Sequence, residues 1–437
     1  MREATMKSGR RLAGGTWYAL VALGLSGQLA WAIENQFMNT FVYDRITPDP
    51  RPIAWMVAAS AVMAALTSIL MGSLSDRTRS RIGRRRPFIL FGYLVWGLST
   101  GLFVTSAYLR PVGLAAAMAV VLDCVMTFFG STANDAAFNA WIVDVTDEGN
   151  RGKVVAVQSL LAGVALLAVY GGAGFIIGAV GYEGFFFAIG AIVIVAGLSG
   201  GLLMKEGELP PPATTGYWQG VASGFSWKSL ASEKELFIVL AAQCILGIGL
   251  QVFYPYLLIY VQHFIALPGA ASTILVAVVI LVGAVGIAVP AGMLVDRFGR
   301  RPVAVAAVLV EIAGLVLFSL SRTMLPLAVF GIVWVGGQTL WGVALGAWSK
   351  DLLPEGRRGQ FTGIALIFTV TIPMIVGPAI GSGLISGYGI HTVIGGKAAA
   401  VPTPVIFMVG AAVNLLALLP IFAAGRRKGG PEGQAAA

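Results

Sequence analysis

The sequence predicts an all-α membrane protein: twelve transmembrane helices in two pseudo-symmetric six-helix bundles. Three observations predict it. The 437 residues are 57% apolar and only 11% charged, about half the charged share of an ordinary soluble domain. The mean hydropathy is +0.84. Runs such as 57–74, 236–259, 273–295 and 303–320 hold no Lys or Arg, and about 20 apolar residues suffice to cross a hydrocarbon core of roughly 30 Å.

In chain order the candidate spans are 17–41, 53–74, 88–108, 112–141, 153–179 and 184–204, then 236–262, 270–294, 303–321, 325–349, 361–386 and 402–424. Between the two sets of six, residues 205–235 have linker composition, with Pro210, Pro211 and Pro212 among charged and hydroxyl residues. Trp218, Phe225 and Trp227 within it suit either a short helix on the membrane surface or packing against a bundle. The expected organisation is a tail (1–16), a first bundle (17–204), the linker (205–235), a second bundle (236–424) and a tail (425–437). The basic start (Arg2, Lys7, Arg10, Arg11) is not followed by a short apolar run with a small-residue cleavage site, so the first span reads as a retained helix.

Lys and Arg orient the spans. With the N-terminus inside, 24 of the 29 basic residues fall on the inner side. The other five are Arg45, Arg51, Arg110, Arg322 and Lys397. Both termini are therefore expected in the cytoplasm, in a plasma (inner) membrane. The net charge of +9 belongs to these loops, and no nucleic-acid partner is expected. Cys124 and Cys244 lie within apolar spans and read as small packing residues, with no disulfide or metal framework. A Ser-His-Asp set, a metal cluster and a phosphate-binding loop are all missing from the sequence, so neither an enzyme, a cofactor nor direct use of ATP is expected.

Two internal repeats follow the spans. GSLSDR (72–77) is matched by GMLVDR (292–297), and each is followed by Gly-Arg-Arg: Gly83-Arg84-Arg85 and Gly299-Arg300-Arg301. Pro87 and Pro302 then open the next helix, where a proline loses no backbone bond. DVTDEGNRGK (144–153) is matched by DLLPEGRRGQ (351–360), 207 residues on. Both repeats fall on the inner side, after corresponding helices of each half, which predicts parallel repeats about an axis normal to the membrane.

The G-x-x-x-D-R…G-R-R pattern, present twice, resembles the signature of the major facilitator superfamily over the whole chain. The longer stretch SDRTRSRIGRRRPF resembles sucrose–proton symporters and their bacterial relatives. NDAAFNAWIVDVTDEGNRGK resembles the glycoside–pentoside–hexuronide cation symporters. The resemblance implies alternating access by rocking of two halves around a central site. It implies a gating role for Asp76, which in the superfamily reaches a helix N-terminus of the opposite half, where the dipole favours an anion. The gating set expected from the two repeats is Gly72, Asp76, Arg77, Gly83, Arg84, Arg85, Asp296, Arg297, Gly299 and Arg300, with Glu148, Arg151, Glu355 and Arg358; for the arginines, plain topology anchoring is the competing reading. Sodium-coupled relatives carry paired aspartates in the second helix, whereas 53–74 offers only Ser60, Thr67 and Ser68. Sucrose transporters carry an arginine in the fifth helix, and 154–180 has none. Proton coupling or plain facilitation is therefore expected in place of sodium coupling.

Ionisable residues inside spans mark function by default. They are Glu34 in the first span, Asp123 and Asp135 in the fourth, and Glu311 in the ninth. A carboxyl group withdrawn from water favours its neutral form, so such groups load and release protons. Glu34, Asp123 and Asp135 are the proton-coupling candidates; a local structural partner is expected for Glu311. Asp123, Thr127, Ser131, Asp135 and Asn139 recur every four residues and predict a polar stripe, with Asn134 alongside, that faces a cavity. Thr127 and Ser131 equally suit helix–helix hydrogen bonds. The resemblance assigns sugar hydroxyls to an acid of this helix, and Asp135 fits by spacing. A carboxylate accepts two hydroxyls at once. Gln28, Trp31 and Asn35 share a face of the first helix and offer an indole and two amides to a sugar. The 207-residue offset maps Asn134 to Trp341 and Asp135 to Gly342. Gln251, Tyr254, Gln338 and Trp341 complete the expected substrate set, and Pro255 is expected to kink its helix.

The function expected is import of a sugar or glycoside with protons, by a monomer in the lipid bilayer. Proton-driven efflux of drugs or metabolites would use the same acids. A substrate sensor on a transporter-like fold is the third reading.

Overall fold

The computed structural model describes residues 12–147, 150–206, 233–353 and 358–424. The side chains of Ile69, Ser73, Asp76 and Thr362 and those of 358–360 lie outside that description, as does the linker segment carrying Trp218, Phe225 and Trp227. The helices are α1 (Gly14–Ile46), α2 (Pro50–Arg77), α3 (Arg86–Tyr108), α4 (Val112–Val145), α5 (151–180) and α6 (182–203). The second set comprises α7 (Lys234–Phe264), α8 (Gly269–Phe298), α9 (Arg300–Leu320), α10 (Met324–Asp351), α11 (358–388) and α12 (Val405–Ala423).

Eleven continuous helices among the described residues are long and apolar enough to cross a membrane. One of them runs unbroken for 53 residues, Arg151–Leu203. That length of helix spans about 80 Å, far beyond a single crossing. Its path turns at Gly181, whose φ of 73° a side chain would resist. The turn divides it into α5 and α6, so that twelve crossings are found among the described residues.

The chain folds as two compact units. The first holds Met1–Thr47 and Val62–Thr215, the second Pro48–Ala61 and Gly216–Ala437. The cut between 215 and 216 falls inside the linker, whereas the grouping of 48–61 with the second unit departs from the expected first bundle of 17–204. Two hydrogen bonds account for it. The Tyr256 hydroxyl of α7 donates to the Pro50 carbonyl (3.4 Å) and to the Pro378 carbonyl of α11 (3.0 Å). The Ala400 N–H donates to the Pro48 carbonyl (3.1 Å).

Within each unit, glycine lets helix backbones meet. In the first, a Cβ on Gly97 of α3 would run into the Gly190 carbonyl of α6, and one on Gly190 into the Gly97 carbonyl. In the second, Gly314 of α9 lies against the Trp334 backbone of α10, and Gly337 of α10 against the Glu311 backbone. Lipid tails are as apolar as Leu, so close van der Waals packing of this kind is what joins helices in a bilayer. Aromatic rings gather away from the loops that carry the two sequence repeats. Phe41, Phe103, Tyr182 and Phe186 pack edge to face or tilted in the first unit, and Phe253, Tyr260, Phe318, Trp334 and Phe407 in the second.

Several helices contain wide turns with i→i+5 bonding. They cover Glu34–Met38 and Val42–Ile46 in α1, Ser131–Phe138 in α4, Tyr260–Phe264 in α7, Ile280–Gly286 in α8 and Ile367–Thr371 in α11. The kink expected at Pro255 is a tight turn at Tyr254–Tyr256. An addition to the all-α expectation is a hairpin between α11 and α12. Strand β1 (Ile390–Ile394) pairs antiparallel with β2 (Lys397–Val401) around Gly395 and Gly396. Both glycines have positive φ, which a two-residue hairpin turn requires.

Replacing Gly97 or Gly190 by Val should force α3 from α6 and destabilise the first unit by about 1–3 kcal/mol. Thermal unfolding in detergent measures this, and an unchanged midpoint would show that the contact can relax freely.

Candidate functional site

The acids of α1 and α4 divide into two environments. Glu34 opens the wide turn of α1, and the Thr127 hydroxyl donates to its Oε1 at 3.1 Å. Asp123 lies one turn before Thr127 and is 1% exposed; Thr127 and Ser131 are equally buried. Asp135 and Asn139, by contrast, are exposed. The stripe read at four-residue intervals therefore changes exposure along its length, with the Asp135 carboxyl still within reach of the Ser131 hydroxyl. The wide turn over Ser131–Phe138 starts in its middle, and i→i+5 bonding changes the angle between residues four apart. Asp123, Thr127 and Ser131 are enclosed by helix packing, while Asp135, within the turn, and Asn139, after it, are exposed.

Asn134 is buried at the α1–α3–α4 contact. The Tyr93 hydroxyl donates to its Oδ1 (3.3 Å) and to the Leu23 carbonyl (2.8 Å). A Cβ on Gly27 would sit 2.9 Å from the same Oδ1. The amide is thus turned into the protein, not onto the open side where Asp135 lies. On α1, Gln28, Trp31, Glu34 and Asn35 are all half-buried. The Trp31 ring lies 5.0 Å from that of Trp96, and the Asn35 amide donates to the Trp31 carbonyl at 2.7 Å.

The second unit repeats this plan with different residues. Trp341 turns its indole to α9, donating to Glu311 Oε2 at 2.7 Å. Glu311 is fully buried, and Trp341 is the local partner that the sequence left unnamed. Asn134 and Trp341, equivalent by the repeat, both reach the neighbouring helix of their own unit. Gly130 and Gly337, also equivalent, hold Trp96 and Glu311 close to their helices. The next positions, Asp135 and Gly342, are both exposed. Gln251, Tyr254 and Gln338 are half-buried, with Tyr254 on the tight turn of α7.

The loop repeats meet each other in both units. In the first, Arg84 Nη2 and Arg85 Nε reach Asp144 Oδ2 at 2.6 and 3.3 Å. Asp144 opens the second repeat. Arg85 also donates to the Ser75 hydroxyl (2.6 Å), and Arg86 to the Leu202 and Met204 carbonyls that end α6. In the second unit Arg300 pairs with Asp351, and Arg301 donates to the Phe422 carbonyl that ends α12 (2.9 Å). Gly83 (φ 125°) and Gly299 (φ 84°) make the turns.

One group has no counterpart among the described residues of the second unit. The Glu206 carboxylate accepts the backbone N–H groups of Arg84, Arg85 and Arg86 at 2.5, 2.8 and 2.7 Å. These are donors that the start of α3 would otherwise leave unpaired. A Cβ on Gly83 would lie 2.6 Å from the same carboxylate. Sequence reasoning placed Glu206 in the linker and missed it, because the contact joins residues 120 apart. Arg84 and Arg85 are buried here, not solvated as simple topology anchors would be. Arg77, Arg151, Asp296, Arg297 and Arg300 are exposed; Gly72 has open space around it. The Asp76, Glu148, Glu355 and Arg358 side chains lie outside the described residues. Among the described residues no three His, Cys, Asp or Glu side chains gather as a metal site.

The two ion pairs should differ in worth. The side chains of Arg84 and Asp144 are 8% and 35% exposed, those of Arg300 and Asp351 48% and 51%. Asp144→Asn leaves two buried guanidinium groups without their carboxylate and should cost about 3 kcal/mol. Asp351→Asn breaks an exposed pair and should cost under about 1 kcal/mol. Thermal unfolding of the two variants side by side measures the difference; equal losses would contradict it.

Comparison with known proteins agrees with this architecture. The sequence profile of the Major Facilitator Superfamily matches residues 16–290 and 271–437. The human protein named proton-associated sugar transporter A is 27% identical over 176 residues, covering 37% of this chain and 22% of that protein. Its mouse counterpart is 25% identical over 36% of this chain and 21% of that protein. The matched segment is thus about a fifth of those relatives' length. Two solved structures share the fold: a nucleoside transporter, NupG (TM-score 0.75, 13% identity, 94% of this chain and 100% of that one), and a D-xylose–proton symporter (0.68, 16%, 94% and 98%). Repeated loops, twelve crossings and a profile match from residue 16 to the end agree: this chain is an integral membrane transporter of the major facilitator superfamily.

Proposed function

We propose that the protein imports a sugar or glycoside together with protons, by alternating access. The observation that carries this reading is the split among its membrane carboxyls. Asp135 is open to its surroundings from within a wide turn of α4, while Glu34 and Asp123 lie on either side of Thr127 at the α1–α4 contact. An open carboxylate suits two sugar hydroxyls. Enclosed carboxyls suit a proton, since burial disfavours charge. Relatives named as a proton-associated sugar transporter and a D-xylose–proton symporter support the same reading.

The proposed roles follow. Asp135 binds hydroxyls, with Gln28, Trp31 and Asn35 as neighbours in the first unit. Gln251, Tyr254 and Gln338 serve in the second, and Asn134 and Trp341 brace the helices that carry the site. Glu34 and Asp123 take up and release the proton, with Asp135 linking it to the solute. The loop repeats, including Asp76 and Asp296, open and close the cytoplasmic side. The termini lie in the cytoplasm, the membrane is the plasma (inner) membrane, and the working form is a monomer.

Uptake of labelled glycosides into proteoliposomes, with and without an inward proton gradient, tests the proposal. The gradient should raise the accumulated solute several-fold. Asp135→Asn should abolish uptake, and Glu34→Gln should abolish accumulation while leaving solute exchange in place. Uptake that ignores the gradient and survives both substitutions would sink the coupling. Solute driven out against the gradient would favour efflux.

A further inference from the structure

The six arginines of 77–86 serve two different ends. Arg84, Arg85 and Arg86 are held by Asp144, Ser75 and the end of α6. Arg77, Arg79 and Arg81 are exposed. The turn that carries Arg81 is tight: the Gly83 N–H donates to the Ser80 carbonyl (3.2 Å) and the Ser80 hydroxyl to the Gly83 carbonyl (2.6 Å). Arg81 and Ile82 form its two corner positions, and Ile82 is 52% exposed. An isoleucine at the corner of a basic turn is out of place if the turn stands in water.

The second unit has the same pair. Residues 81–84 read Arg-Ile-Gly-Arg and 297–300 read Arg-Phe-Gly-Arg. Phe298 is 56% exposed, with its own Arg297 guanidinium 5.2 Å over its ring. Here the frame is a helix end: Gly299 turns the chain with φ 84° after α8. Two different local frames thus present an exposed cation beside an exposed large apolar side chain. Both pairs lie where the chain leaves the apolar spans. The α8 span ends at Phe298, and Ile82 lies between the spans Pro50–Gly72 and Arg86–Tyr108.

That combination fits one surface. At the boundary of a bilayer, an apolar side chain enters the acyl region while a neighbouring arginine stays level with the phosphates. The charge balance favours an anionic surface. Apart from the arginines paired with Asp144 and Asp351, the first loop presents exposed Arg77, Arg79 and Arg81, and the second exposed Arg297 and half-buried Arg301, with one acid in each stretch, Asp76 and Asp296. Each basic residue near an anionic leaflet adds about 1 kcal/mol, or about five-fold in partitioning. The geometry points to Arg81–Ile82 and Arg297–Phe298 as two interfacial anchors, one per unit, that insert Ile82 and Phe298 among anionic lipids. The anchoring is independent of the solute carried. It gives the residue before each motif glycine a task of its own, beside the gating proposed for the glycines and arginines that follow.

The test replaces Cys124 and Cys244 by Ala and introduces Ile82→Cys or Phe298→Cys, each labelled with bimane. The full-length protein is placed in vesicles of phosphatidylcholine, or of phosphatidylcholine with phosphatidylglycerol, with brominated acyl chains as quencher. A single symmetric elution peak controls for folding of each variant. Brominated chains should quench both probes, more strongly with phosphatidylglycerol present. Arg81→Gln should lower the phosphatidylglycerol preference at position 82 about five-fold, and Arg297→Gln that at position 298. Quenching by aqueous iodide in place of brominated chains would overturn the inference, and would leave the pairs facing water or another macromolecule. Equal quenching in both lipids, unaffected by either arginine substitution, would overturn it too.

Discussion

Inside a bilayer no water is available to a loose N–H or C=O, so the backbone must satisfy itself. Helices crossing the membrane are the direct result, and the other features follow from the same demand. A helix can loosen into a wide turn because i→i+5 bonds still pair its groups. At helix ends the ladder runs out and other groups must supply partners. The Glu206 carboxylate does so for three amides at the start of α3, and Arg86 and Arg301 do so for the last carbonyls of α6 and α12. The charged loops thus extend the helix ladder at these ends, and Arg84 and Arg85, buried between them, are held by Asp144.

The two units apply one plan with unequal strength. Each ties its first loop repeat to its second through an Arg–Asp pair, and to the last turn of its own bundle through a further arginine. In the first unit that knot is buried and reinforced by Glu206 and Ser75; in the second it is exposed. The same inequality recurs deeper in the bundles. An asparagine and a tyrosine join α3 to α4, an indole and a buried carboxyl join α9 to α10. Asp135 faces outward in one unit, and the equivalent Gly342 presents no side chain in the other. The two halves thus share a scaffold and differ in the polar side chains that it carries.

Much of the fold was legible in the sequence because a bilayer leaves few choices. Apolar runs of the right length located the helices to within a few residues, and the repeats set them in two groups of six. The site was legible only in part. Residue types in α1 and α4 pointed to the acids, but a period of 3.6 residues cannot register a wide turn, so Asp135 was placed on the same stripe as Asp123. Asn134 was placed beside Asp135 on the open side, while Tyr93 and Gly27 hold it within the packing. Trp341 was grouped with the substrate residues, while its indole N–H is engaged by Glu311. Glu206 had no local signal at all, and neither did the attachment of Pro48 and Pro50 to the second unit. The hairpin has a local signal in Gly395-Gly396, but its short strands flank the turn without the apolar–polar alternation that marks a longer strand.

The wide turn in α4 also bears on how one helix serves two tasks. Had α4 stayed regular through residue 138, Asp135 would have continued the line of Asp123 and Thr127 and shared their enclosure. The turn instead separates an open carboxylate from an enclosed one within twelve residues of the same helix. Environment alone can give two identical side chains different chemistry. Single wide turns inside α-helices occur frequently at functional sites. In α1 and α4 alike, the wide turn covers the residues proposed to carry proton and solute, Glu34 and Asn35 in one and Asp135 in the other.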